Sequence, residues 1–140
     1  MARRPSGILP GKAQGLVIRE AHFPGRAPID AYGDGGFRFA DMSHRGSLLV
    51  LPSGIHGWDA NAPGDMTMQA FAPVFEQSRE IEILLIGTGD ELVRIDEALR
   101  QKFREHGIMA DSMATGAAVR TLNVLLAENR AVAAALIAVE

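Results

Sequence analysis

Hydrophobic residues fall into two regimes along the chain: short extended runs broken by turn residues in the first half, and apolar runs alternating with helical periodicity in the second. Leu16-Val17-Ile18 opens the pattern before Pro24, Gly25 and Pro28 interrupt it. Ile29 to Gly33, the turn residues Asp34-Gly35-Gly36 and the alternating Phe37-Arg38-Phe39 together predict a hairpin. A polar turn is expected over Asp41 to Arg45. The apolar run Ser47-Leu48-Leu49-Val50-Leu51 then predicts a strand covered on both faces. Ile55 to Asp59 reads as an extension of that strand beyond a bulge at Ser53-Gly54. Thr67 to Phe75 has helical spacing, but Pro73 lacks a backbone donor and limits any helix there to a short one.

Ile81 to Ile86 predicts a strand that runs into Gly87-Thr88-Gly89-Asp90. Leu92, Ile95, Leu99 and Phe103 recur at three- and four-residue steps, which predicts an amphipathic helix with Asp90 as its N-cap, Glu91 in its first turn and Gly107 closing it. Ile108 to Met113 is extended. Thr115-Gly116 opens a second helix with Val119, Leu122, Leu125 and Leu126 inward, and Ala131 to Val139 supplies the last strand. Strands alternating with helices imply parallel pairing through crossover helices, and the early hairpin adds antiparallel members. The expected architecture is a single α/β domain with a mixed sheet, an N-terminal antiparallel hairpin part and helices packed on its faces. Residues 1–28 read as an irregular segment and 29–140 as the domain.

Charge and composition narrow the function. Fourteen Lys and Arg against seventeen Asp and Glu give a net charge of −3, without the basic footprint that binding a nucleic-acid backbone requires. The chain contains no cysteine, so thiolate chemistry, disulfides and Cys-based metal sites are excluded. Arg3 and Arg4 are not followed by the apolar stretch of a signal peptide. Ala131 to Val139 holds about nine residues, against the roughly 20 a membrane-spanning helix needs. The expectation is a cytoplasmic protein without membrane insertion.

Several phrases occur together in order: Gly33-Asp34-Gly35-Gly36-Phe37, Leu51-Pro52-Ser53-Gly54-Ile55, Gly57-Trp58, Ile86-Gly87-Thr88-Gly89 and Thr115-Gly116-Ala117-Ala118-Val119-Arg120-Thr121-Leu122-Asn123. From about Ile29 to the C-terminus the chain resembles a small domain of unknown function. That domain is shared by uncharacterised bacterial and archaeal proteins and by the mitochondrial complex I (NADH:ubiquinone oxidoreductase) assembly factor three. The resemblance implies a single-domain mixed α/β fold and a protein partner such as a respiratory complex precursor. It implies no established reaction and no cofactor.

Candidate sites follow from the helix entrances. Gly87-Thr88-Gly89-Asp90 lies where open parallel sheets place ligands, but it lacks a third glycine or a P-loop lysine and reads first as a structural turn. At the second entrance Thr115 is expected to cap, while Gly116, Ala117 and Ala118 leave backbone N–H groups unshielded and Arg120 follows one turn later. Thr88 and Asn123 are expected to support a small anion there. The plainer alternative is helix capping, with Asn123 bonding backbone groups. Trp58, the single tryptophan, is a candidate partner anchor or a core residue.

His22, His44, His56 and His106 show no metal-ligand spacing. Ser53 would need His56 as a base only three residues away on a bent strand, a poor placement for a nucleophile. Neither a catalytic residue nor a metal ligand is assigned. Two functions remain: a non-enzymatic binding or assembly module, and a small-molecule or anion binder or enzyme at Thr115-Gly116. A homodimer through strand edges or the Met/Phe surface is compatible with either.

Overall fold

The computed structural model describes residues 23–140. The Leu16-Val17-Ile18 run, His22 and the first 22 residues of the expected irregular segment lie outside the described residues. Three strands, β1 (Ala31–Gly33), β2 (Gly36–Phe39) and β3 (Met42–Arg45), form an antiparallel sheet in chain order. Both of its turns have two residues with positive φ: Asp34 and Gly35 at 53° and 78°, then Ala40 and Asp41 at 49° and 62°. That geometry matches the twist of paired strands. The expected polar turn over Asp41 to Arg45 is therefore corrected. Only Ala40 and Asp41 make the turn, and Met42 to Arg45 alternates half-buried and exposed as a strand should.

The larger sheet has the order β5-β4-β8-β6-β7. Its members are β4 (Ser47–Leu51), β5 (Gly54–Trp58), β6 (Ile83–Gly87), β7 (Met109–Met113) and β8 (Val132–Leu136). β4 pairs antiparallel with both β5 and β8, while β6 pairs parallel with both β7 and β8. The sheet is mixed, as expected. β5 is not an extension of β4, because Pro52-Ser53 reverses the chain and Leu51 pairs with Gly54.

The helices α1 (Ala72–Glu76), α2 (Glu97–Glu105) and α3 (Thr115–Ala127) complete the fold. Pro73 sits in the first turn of α1, where a missing N–H costs nothing. α2 starts later than expected. Asp96, not Asp90, accepts the Ala98 N–H at 3.1 Å as its N-cap, and Glu97 is the acidic residue of its first turn. The Thr88 hydroxyl explains the delay: it binds Glu91 O at 2.6 Å and Val93 N at 3.0 Å, folding residues 88–93 into a closed loop. Leu92 is consequently exposed and not part of an inward stripe. Gly107, with φ 76°, ends α2 as expected.

Two cores lie on opposite faces of the sheet. One joins Leu99 and Phe103 of α2 to Trp58, Phe71, Val74, Leu84, Ile86 and Ala135. The other joins Ala118, Val119 and Leu122 of α3 to Phe37 and Phe39 of the small sheet and to Leu48, Val50, Ile55 and Leu136. Alternate residues of β4 and β8 serve the two cores, so Leu48 to Leu51 and all of β8 read as unbroken apolar runs. Consecutive crossovers from β6 to β7 and from β7 back past β6 to β8 put α2 and α3 on opposite faces.

Candidate functional site

The ends of β6, β7 and β8 converge at the start of α3. Thr115 is not the N-cap; Ala114 holds that position, and Thr115 is the first helical residue. Its buried hydroxyl donates to Ile137 O at 2.7 Å and accepts from Gly89 N at 3.0 Å, while its N–H donates to Gly89 O at 2.8 Å. Strand, loop and helix are thereby joined at one side chain. A Cβ on Gly87 would lie 3.0 Å from both Thr115 Cα and Oγ1, so any larger residue there would have to push the start of α3 back by a few tenths of an ångström.

Beyond Thr115 the first turn is open. Ala118 N–H donates to Ala114 O at 3.0 Å, but the N–H groups of Gly116 and Ala117 have no acceptor among the described residues. Arg120 is exposed and in no ion pair there. Gly116 is less accessible than its small size suggests, because the Tyr32 phenol lies against it and a Cβ would collide with that ring. Sequence reasoning missed Tyr32, whose approach depends on the β1–β2 hairpin packing over α3.

Thr88 and Asn123 do not join this entrance. Thr88 is 3% exposed and its hydroxyl is committed to Glu91 O, Met113 O and Val93 N, so it closes its own loop. Asn123 accepts from Ile29 N at 2.9 Å and donates to Ile29 O at 2.9 Å. Both ends of its amide hold residue 29 against α3. Beside it lies an open groove of about 400 Å³ bordered by Arg26, Pro28, Leu126, Asn129 and Arg130. Asn123→Ala is expected to cost about 1–3 kcal/mol, the penalty for stranding the Ile29 backbone groups. Amide exchange at Ile29 should accelerate more than exchange at β6, and an unchanged Ile29 rate would show that the pair carries no load.

The expectation that Trp58 presents its ring to a partner is corrected. The side chain is 8% exposed, packs at 5.3 Å from Phe71 and donates its indole N–H to Ala70 O at 2.9 Å. It is a core residue because the β4–β5 reversal turns it towards α1. Ser53 and His56 also differ from expectation: the hairpin brings Ser53 Oγ to 2.8 Å from His56 Nε2. Gln77 closes the arrangement, donating to Ser53 Oγ at 2.8 Å and accepting Ser53 N–H at 3.0 Å, which clips the hairpin to the end of α1. His44 lies 3.1 Å from Ser47 O and His106 Nδ1 3.0 Å from Lys102 O. Among the described residues no group of three His, Asp or Glu side chains is placed to hold a metal ion.

Comparison with known proteins is decisive for the family. The model of a family described as protein of unknown function (DUF498/DUF598) matches residues 29–137. The chain belongs to this family. It is 35% identical to an uncharacterised protein of Rhodobacter capsulatus over 87% of this chain and 93% of that one. It is 30% identical to the mouse NADH dehydrogenase [ubiquinone] 1 alpha subcomplex assembly factor 3 over 87% of this chain, but that match spans only 66% of the mouse protein. A crystal structure from Bartonella henselae, described as an outer membrane protein, superposes with a TM-score of 0.82 at 64% identity, covering 85% of this chain and all of that one. This DUF498/DUF598 member is thus related to complex I assembly factors. No helix among its described residues is long and apolar enough to cross a membrane.

Proposed function

We propose that the protein is a non-enzymatic binding module that acts in assembling a respiratory membrane complex from the cytoplasmic side. The observation that carries this reading is its relation to the mammalian assembly factor, which takes in almost the whole described domain. The side chains at the strand ends support it. Thr88 and Thr115 are spent on holding the backbone there, and Asn123, further along α3, holds residue 29, so the architecture is one of rigidity and shape at this end of the sheet, where an open-sheet enzyme would keep free polar groups. Co-purification of the tagged protein from its own host at near-native expression should recover subunits of a respiratory complex precursor in near-stoichiometric amount. Recovery of the protein alone, or its fractionation with the outer membrane, would overturn the reading.

A second reading is a small anion at the start of α3, favoured by the N–H groups of Gly116 and Ala117, which have no acceptor among the described residues, with Arg120 one turn away. On this reading phosphate or a dicarboxylate at 100 times its dissociation constant stabilises the wild type by about 2.7 kcal/mol, and Arg120→Ala loses most of that gain. Equal thermal shifts in both proteins would remove the site.

A further inference from the structure

We infer that the outer edge of β7 is a docking edge for an extended segment of a protein partner that carries a basic side chain opposite Asp111. This rests on the assembly reading and names the chemistry of the partner. β7 ends the larger sheet, and two bonds fix which of its residues face inward: Met109 N–H donates to Glu82 O and Thr88 N–H to Met113 O, both at 2.9 Å. In a parallel ladder the same side is then used by Asp111, so the N–H and C=O groups of Ala110 and Ser112 point away from the sheet. Neither residue has a further partner among the described residues.

The two edges of the sheet are treated differently. At β5 the chain covers its own edge, with Ile55 N–H donating to Phe23 O at 3.0 Å. Among the described residues β7 has no such cover, and it contains no proline, no lysine and no bulge of the kind that blunts an edge. Its side chains define what fits. Met113 lies against α3, where Thr121 Oγ1 is 3.8 Å from its sulfur, so Met109 and Asp111 project on the α3 side by strand alternation. Met109 is 70% exposed, and Val124, one turn beyond Thr121, is 56% exposed. Asp111 is exposed and in no ion pair among the described residues.

The charge selects among occupants. A second copy paired antiparallel through all four outward groups would set Ala110 against Ser112 and Asp111 against Asp111, and like charges directly opposite destabilise a strand pair. A partner strand with Lys or Arg at that position, and apolar residues two places to either side, meets the same backbone groups without repulsion.

The probe is the acetylated, amidated peptide Thr-Val-Thr-Lys-Thr-Val-Thr, compared with its Glu counterpart, on the isotope-labelled full chain. The Lys peptide is expected to slow amide exchange at Ala110 and Ser112 by about tenfold at saturation while leaving Asp111 little changed. Asp111→Lys should reverse the preference towards the Glu peptide. Three results would overturn the inference: no protection at millimolar peptide, equal protection by both peptides, or protection that grows with protein concentration alone and so marks self-association. A respiratory subunit recovered by co-purification that leaves the β7 amides unprotected would overturn this edge and keep the assembly reading. An empty co-purification would remove that reading while the peptides still decide whether the edge pairs.

Discussion

Trp58→Ala is expected to destabilise the domain by about 3–5 kcal/mol, the usual cost of removing a buried indole from a packed core. The ring sits at one end of an aromatic chain in which Trp58 meets Phe71 at 5.3 Å, Phe71 meets Phe103 edge-on at 5.1 Å and Phe103 stacks on Phe75 at 5.0 Å. That chain links β5, α1 and α2, so the cavity left by alanine lies where three elements meet and has little freedom to collapse. For a domain whose total stability is about 5–15 kcal/mol, the loss corresponds to a fall in Tm of roughly 6–20 °C. Trp58→Phe keeps most of the ring contact and gives up the bond to Ala70 O, so about 1–2 kcal/mol is expected. Thermal and denaturant unfolding of the two variants test this together. A Trp58→Ala protein that melts like wild type but no longer captures its partner would return Trp58 to the surface role that its burial argues against.

Much of the fold was legible because local pattern and burial agree. β4 and β8 are apolar at every position that the two cores claim, and α3 repeats its inward residues at helical spacing. The boundaries failed where a single side chain redirected the backbone. Thr88 closes a loop by long-range and local bonds that no periodicity records, and α2 therefore begins at Glu97 although the apolar spacing extends back to Leu92. The β4–β5 reversal failed for a related reason. Pro52-Ser53 carries no glycine pair to announce a two-residue turn, and its stability comes from Gln77, 24 residues further on.

The candidate site was half legible. Small residues and an arginine at the start of α3 do leave N–H groups at Gly116 and Ala117 without an acceptor among the described residues. Which polar side chains face that entrance was not legible, since it depends on register between separate elements. Asn123 lies two turns along α3 and is claimed by Ile29, while Tyr32 arrives from the small sheet. Thr115 stands one residue inside the cap position its sequence suggests, and that one residue changes its work from capping α3 to tying α3 to two other elements.

Thr115→Val is the test of that role. The substitution preserves shape and removes only the hydroxyl, leaving Ile137 O without its 2.7 Å donor and Gly89 N–H without its 3.0 Å acceptor. Thr115 and Ile137 are buried, so water does not reach the stranded Ile137 carbonyl, which costs about 1–3 kcal/mol, and the half-buried Gly89 N–H adds a smaller loss. A total loss of roughly 2–5 kcal/mol is expected, large for a change of one atom. Thr115→Ser keeps both bonds and sacrifices one methyl group, which should cost about 1 kcal/mol. The order of the two variants separates hydrogen bonding from packing, because a purely packing role makes valine the milder change. Exchange at Gly89 should rise in the valine variant well above the rise set by global destabilisation, since its amide is released from the loop itself. Valine tolerated to within about 0.5 kcal/mol would mean that the convergence of β6, β8 and α3 is held by burial alone, and that the Thr115 hydroxyl is free to serve a ligand.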